Sequence, residues 1–255
     1  YLRNWHMRWF SDHIIDGVRV RDLGEHYCGF SLAGPKSRDI IYQLSGGGAA
    51  NLSFMGCGNF DIGLIKVKIG RICVSGELGY EINCKMGDHI ALRRLLLSKG
   101  NEFDIHEYGF DALLSMRLEK SFGIWSYEFT QGYTPGMTGL DRWIDWEKGD
   151  FIGRKSALNE KNGKNRRQKL VTLEVKATDA DASGFEPVWV NGKRVGFVTS
   201  GGYGHRVRKS LAMCLINAEL ANVGQECNLH VVGKEQKAIV ISPSPYDPNG
   251  ELMRS

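Results

Sequence analysis

Beyond residue 169 the chain changes character, and that change constrains its fold more than anything else in it. Short apolar, β-branched runs stand at 170–175, 188–190, 195–199, 211–216, 229–232 and 238–241, and Asn191-Gly192 sits between two of them as a two-residue hairpin turn. Several short strands at this spacing are the pattern of an all-β unit. They imply a small β-barrel or sandwich closing the chain.

The part before it is built otherwise. Residues 27–33 read as a strand that stops at Gly34-Pro35, and 36–44 as a helix with Pro35 near its first turn and an apolar face of Ile40, Ile41 and Leu44. Residues 64–69 alternate apolar and charged side chains in the period of a half-buried strand, and 80–82 read as another. Two more helices are predicted: 88–99, with Asp88 as cap and Gly100 as stop, and about 107–123. Strands and helices in this order give an α+β class rather than the regular βαβ repetition of a dinucleotide fold. Ser45-Gly46-Gly47-Gly48-Ala49-Ala50 lacks a GxGxxG pattern and reads as a flexible loop. Residues 155–169 are polar and basic around Gly163 and read as a linker, whose basic cluster within Asn159 to Arg167 is better taken as a solvated loop than as a contact for phosphate or a poly-acidic ligand tail.

Composition excludes several classes. In 255 residues there is no apolar run long enough to span a bilayer as a helix, so no membrane partner is expected. A formal charge of +4 is too small an excess to argue for nucleic acid. The six cysteines form no CxxC pair and the seven histidines no zinc spacing, so reduced thiols and no metal are expected. Neither a GxSxG elbow nor a Walker lysine occurs.

Two charged residues stand out. Glu77 lies in Val74-Ser75-Gly76-Glu77-Leu78-Gly79-Tyr80-Glu81-Ile82, between the strands at 64–69 and 80–82. Its flanking glycines suit a tight backbone that holds the carboxylate against a ligand; a solvated turn is the alternative. On the helix at 107–123, steps of 100° place Phe110, Leu113, Leu114 and Arg117 on one stripe, with Ser115 and Glu119 turned away. A guanidinium on an apolar face must find an acceptor. Either Arg117 forms an internal salt bridge, or Arg117 and Glu77 line one pocket for a planar polar ligand. On the pocket reading, Arg117→Met weakens binding and leaves the melting temperature nearly unchanged.

The blocks at 75–81, 109–120, 133–135 and 149–154 together resemble the folate-binding aminomethyltransferase family, which includes the glycine cleavage T-protein and the carboxy-terminal half of dimethylglycine and sarcosine dehydrogenases. Ser200-Gly201-Gly202-Tyr203-Gly204-His205-Arg206 and Pro245-Tyr246-Asp247-Pro248 are similar to the dehydrogenase-fused members. The resemblance implies a partial folate-binding domain over 1–158, a linker over 159–168 and a carboxy-terminal β-barrel over 169–255. It implies tetrahydrofolate as cofactor, held by Glu77, Arg117, Tyr80 and Tyr133. The expected activity is one-carbon transfer from a methylated amine of the dimethylglycine or sarcosine type. FAD is expected only in a missing amino-terminal domain or a flavoprotein subunit, and the location is cytoplasmic, or the mitochondrial matrix in a eukaryote.

The chain departs from the family in two places. Tyr1 is not a methionine, and 1–10 reads as an amphipathic helix entered in mid-domain, so the family's catalytic aspartate would lie before Tyr1. Where the family carries an acidic residue two places after the proline of Thr134-Pro135, Met137 stands. That leaves open a demethylase of a sulfonium, N-oxide or aryl ether, or a module that binds folate or scaffolds without catalysis. From Trp125, Tyr127, Tyr133 and Trp143 an aromatic cage for a methylated cation is conceivable, with core packing the preferred role for most of them.

Overall fold

The computed structural model describes residues 2–163 and 167–255. The backbone gathers into two compact units, one formed by 1–73, 77–106 and 253–255, the other by 74–76 and 107–252.

The first unit runs α1 (Leu2–His13), β1 (Tyr27–Ala33), α2 (Ser37–Ser45), β2 (Cys57–Ile62), β3 (Ile65–Gly70), β4 (Gly79–Lys85) and α3 (His89–Gly100). Its four strands pair antiparallel in the order β1-β4-β3-β2. Alternation decides the faces: Ile65, Val67 and Ile69 of β3 are buried while Lys66 and Lys68 are exposed. Tyr80, Ile82 and Cys84 of β4, Ile40 and Ile41 of α2, and Leu92 and Leu96 of α3 complete one apolar core. The strand β2 is missing from the sequence reading because Gly58, Asn59 and Asp61 dilute its apolar pattern. It is specified by its hairpin instead. Ile62 pairs with Ile65 around Gly63, whose φ of 59° suits the first position of a two-residue turn, and Leu64, predicted as a strand residue, is the exposed tip.

Two other expectations for this unit need correction. The glycine-rich run is not a flexible loop: Gly46 caps α2 in the left-handed conformation, its N–H and that of Gly47 return to Tyr42 O, and Ala49 and Ala50 are buried. The helix α1 forms as predicted, but none of its residues is buried.

The second unit contains α4 (Phe110–Glu119), α5 (Pro135–Thr138), α6 (Arg154–Lys161) and six strands: β5 (Gln168–Val175), β6 (Pro187–Val190), β7 (Lys193–Gly204), β8 (Lys209–Asn217), β9 (Glu226–Val231) and β10 (Lys234–Ile241). A short α7 (Glu251–Arg254) follows. The strands close as a barrel in the order β10-β5-β8-β7-β6-β9, which settles barrel against sandwich. The Asn191-Gly192 turn is realised with φ of 51° and 72°, as a primed hairpin turn demands. Val171, Leu173, Val188, Val198, Cys214, Leu229 and Val240 belong to the barrel core. On β8 the outward residues Leu211, Met213 and Leu215 are buried as well, and α4 packs on β7 and β8.

The stripe drawn on α4 is only partly right. Phe110 is 66% exposed, whereas Arg117, Leu118 and Glu119 are all buried. The first turn stands in solvent and the last is covered on every side, so no single stripe describes the helix. It also ends earlier than 123. Ser121 takes a left-handed cap at φ 54°, and Phe122 N returns to Arg117 O at 3.0 Å. The aromatic stretch after α4 is likewise less buried than expected: Trp125, Tyr127 and Trp143 are exposed. The helix α6 reaches into the 159–168 segment, where Glu160 is buried; residues 164–166 of the basic cluster lie outside the described residues.

Candidate functional site

The acceptor that Arg117 requires is Glu128, a residue sequence reasoning missed. The Arg117 side chain is 2% exposed and that of Glu128 0%. Arg117 Nη1 donates to Phe122 O at 2.9 Å and lies 3.4 Å from Glu128 Oε2 and 3.8 Å from Met213 Sδ. Burial pulls the guanidinium below its ordinary range, and the Glu128 carboxylate opposes that pull. Arg117 Nε is buried without a partner among the described residues.

Glu128 is satisfied from three more directions. Its Oε2 accepts from Ile124 N at 3.0 Å; its Oε1 accepts from Thr199 Oγ1 at 2.6 Å and from Ser200 Oγ. Adjacent residues on a strand normally face opposite sides. Here the β7–β8 register shifts between Val198 and Ser200, and the bulge lets two consecutive hydroxyls reach one carboxylate. A glutamate set between Tyr127 and Phe129, and a Thr-Ser pair directly after the apolar run Val195-Gly196-Phe197-Val198, were the signals that could have found this network.

Glu119, the last residue of α4, and its C-cap Lys120 are committed in the same way. Glu119 Oε1 accepts from Arg206 N at 2.6 Å and Val207 N at 2.9 Å, fixing the β7–β8 turn. Lys120 Nζ donates to Tyr246 O at 2.9 Å and Asp247 O at 2.5 Å, while Tyr246 N donates to Glu119 O at 3.0 Å. Lys120 also explains Gly76: φ is 86° there, and a Cβ would meet the lysine stem at 2.6 Å. Thus Gly76 and the motif blocks at 200–206 and 245–248 converge on the end of α4 within the second unit. Further along, Thr134 caps α5 by accepting from Met137 N at 3.3 Å, and it donates to Glu160, whose other oxygen accepts from Gly136 N at 3.3 Å.

The remaining candidates are placed as follows. Glu77 is half-buried, directly after Gly76. Tyr80 is 0% exposed in the core of the first unit, and its hydroxyl is buried with no partner among the described residues. Tyr133 is half-buried, 6.5 Å ring to ring from Phe197, and burial with the nearby Glu128 charge raises its phenol above the usual tyrosine range. Arg117 is therefore paired with Glu128, whose charge also acts on Tyr133. Glu77 and Tyr80 belong to the first unit.

Residues 2–148 match the GCVT N-terminal domain family, and residues 168–247 match the glycine cleavage T-protein C-terminal barrel domain. The chain belongs to the glycine cleavage T-protein family. Human mitochondrial dimethylglycine dehydrogenase is 31% identical to it over 241 residues, covering 92% of this chain and 28% of that one. An aminomethyltransferase of Halalkalibacterium halodurans is 27% identical over 239 residues, covering 93% and 65%. The crystal structure of the glycine cleavage system aminomethyltransferase T from Bartonella henselae superposes with a TM-score of 0.75 at 26% identity, over 87% of this chain and 60% of that one. This T-protein family chain therefore spans little more than a quarter of the dimethylglycine dehydrogenases it matches. Its α+β first part and closed carboxy-terminal barrel are those of the aminomethyltransferase fold.

Proposed function

We propose that this chain binds tetrahydrofolate and serves one-carbon transfer from a methylated amine of the dimethylglycine or sarcosine type, as the folate half of a larger flavin-linked dehydrogenase. The observation that carries the reading is the pairing of both T-protein domains, matched in order, with a relative of 31% identity that is a dimethylglycine dehydrogenase. Tetrahydrofolate would supply the ring nitrogen N5 and the neighbouring exocyclic amine nitrogen N10, to which a one-carbon unit can attach. Glu77, held half-buried behind Gly76, is suited to accept from the donor edge of a pterin. The orphaned Tyr80 hydroxyl and Arg117 Nε are the kind of buried polar atoms a bound ligand would satisfy, and the half-buried Tyr133 phenol can donate. These four residues bind and orient; the reaction's proton carrier is not among them. FAD would reside in another part of the polypeptide or in a partner subunit, and the reading places it outside this chain.

The test is calorimetric titration of tetrahydrofolate into this chain and into the longest polypeptide that its reading frame encodes, each with and without Glu77→Gln. The expected result is binding weakened about tenfold or more by the substitution, roughly 1.4 kcal/mol. Binding left unchanged by Glu77→Gln removes that residue from the site, and no binding by either polypeptide removes the reading.

One observation favours a second reading for part of the site. Arg117 is engaged with Glu128 inside the second unit, which is what a structural residue of a non-catalytic folate-binding or scaffold module would do. On that reading Arg117→Met lowers stability and leaves folate affinity unchanged.

A further inference from the structure

The first unit holds a pair of thiols that the one-carbon reading does not use. Cys28 of β1 and Cys84 of β4 are directly opposite in the antiparallel register, and their Sγ atoms are 3.7 Å apart. Opposed residues on antiparallel strands have Cα atoms about 4.5–5.5 Å apart, inside the roughly 4.4–6.8 Å range that a disulfide spans. Both cysteines are free. Rotation about the side-chain bonds is therefore enough to join them, with no strand displaced. Their surroundings differ: Cys28 is half-buried on the edge strand of the sheet, while Cys84 is 0% exposed.

We propose that Cys28 and Cys84 form a reversible cross-strand disulfide, with Cys28 as the entry thiol and Cys84 as the resolving thiol, and a low-molecular-weight disulfide such as oxidised glutathione as the oxidant. The Cys28 thiolate attacks one sulfur of the oxidant, whose S–S bond breaks; a mixed disulfide forms on Cys28 and one small thiol leaves with a proton. Cys84, deprotonated as it attacks, then displaces the second small thiol from Cys28, and that thiol takes up a proton. Two cysteine S–H bonds are lost and one S–S bond is gained, and the oxidant is reduced to two thiols. The assignment of roles follows from access and from acidity. Burial, reinforced by the adjacent Cys28, pushes the Cys84 thiol up to about 11, so it is a poor first nucleophile. Once Cys28 carries a leaving group, Cys84 is the thiol next to it. The bond would clamp the edge strand β1 to β4, the strand that begins two residues after Glu77.

The experiment incubates the whole chain in glutathione buffers of graded ratio, quenches with acid, alkylates the remaining thiols and maps them by mass spectrometry after proteolysis. The expected result in the wild-type chain is loss of two alkylatable thiols, Cys28 and Cys84 together, as one linked peptide that reverts on reduction. Cys84→Ser is expected to accumulate glutathione on Cys28, and Cys28→Ser to leave Cys84 alkylatable. The proposal is overturned if wild-type Cys28 and Cys84 both stay alkylatable while the exposed Cys57 takes up glutathione, or if wild-type Cys28 stops at the mixed disulfide. Because the decisive map is made on the wild-type chain, it does not depend on either variant folding.

Discussion

The two units bury charge in opposite ways. In the first, the largest fully buried side chains are Ile41, Ile62, Ile69, Tyr80, Ile82 and Leu92, and Arg71 is the one buried charged residue among those described. In the second, Arg117, Glu119, Lys120, Glu128 and Glu160 are all buried. An apolar core gains free energy in proportion to area and tolerates volume-conserving exchange. A network of buried charges does not, since removing one member leaves the others desolvated and unpaired. What the second unit obtains is specificity: Glu128, Glu119 and Lys120 each reach a different segment of the chain, so these buried charges fix the bulge in β7, the β7–β8 turn and the 246–247 tail in one geometry.

The contrast is broken most severely by Glu128→Ala. It strands the Arg117 guanidinium with Phe122 O as its principal acceptor and leaves the Thr199 and Ser200 hydroxyls without the carboxylate. A loss of about 3–5 kcal/mol is expected, read as a lower urea midpoint at unchanged slope. Arg117→Met comes next at about 1–3 kcal/mol, because Glu128 keeps two hydroxyls and the Ile124 amide. A falling melting temperature would oppose the expectation, drawn from sequence, that this substitution spares stability. Ile82→Val, fully buried in the first unit, should cost about 0.5–1.5 kcal/mol. If it cost as much as Glu128→Ala, the distinction between the two kinds of interior would fail.

The same contrast explains what could be read in advance. All six barrel strands and their hairpin turn were legible, because alternation and turn chemistry are local properties of adjacent residues. The strand β1 was legible from end to end for the same reason. The strand β2 was not, since Cys57-Gly58-Asn59-Phe60-Asp61-Ile62 becomes a strand only through its partner β3. Arg117 was legible as a charge in need of an acceptor, but the acceptor lies in a loop eleven residues on, joined to a bulge that no periodicity announces. The aromatics of the 125–143 stretch misled in the other direction: Trp125 and Trp143 are large and apolar yet exposed, and Arg142 stacks over the Trp143 ring at 5.6 Å. Side-chain type shows what a residue can bury, not whether the chain covers it.

The smallest expected effect sharpens the comparison from the surface side. Lys209 of β8 and Glu174 of β5 form an ion pair at 2.7 Å, shorter than the 3.4 Å between Arg117 and Glu128. On distance alone the surface pair would be the stronger. Its side chains are 47% and 31% exposed, however, so water and salt screen the attraction, and two long side chains lose freedom to hold one geometry. Lys209→Ala should therefore cost about 0.5 kcal/mol or less, and the difference from wild type should vanish in thermal melts taken at molar salt. The cost of Glu128→Ala should survive the same salt, because its partners are desolvated in both conditions. If both substitutions responded to salt alike, burial would not be what separates the two pairs, and the charges at the end of α4 would be no more than surface charges seen at close range.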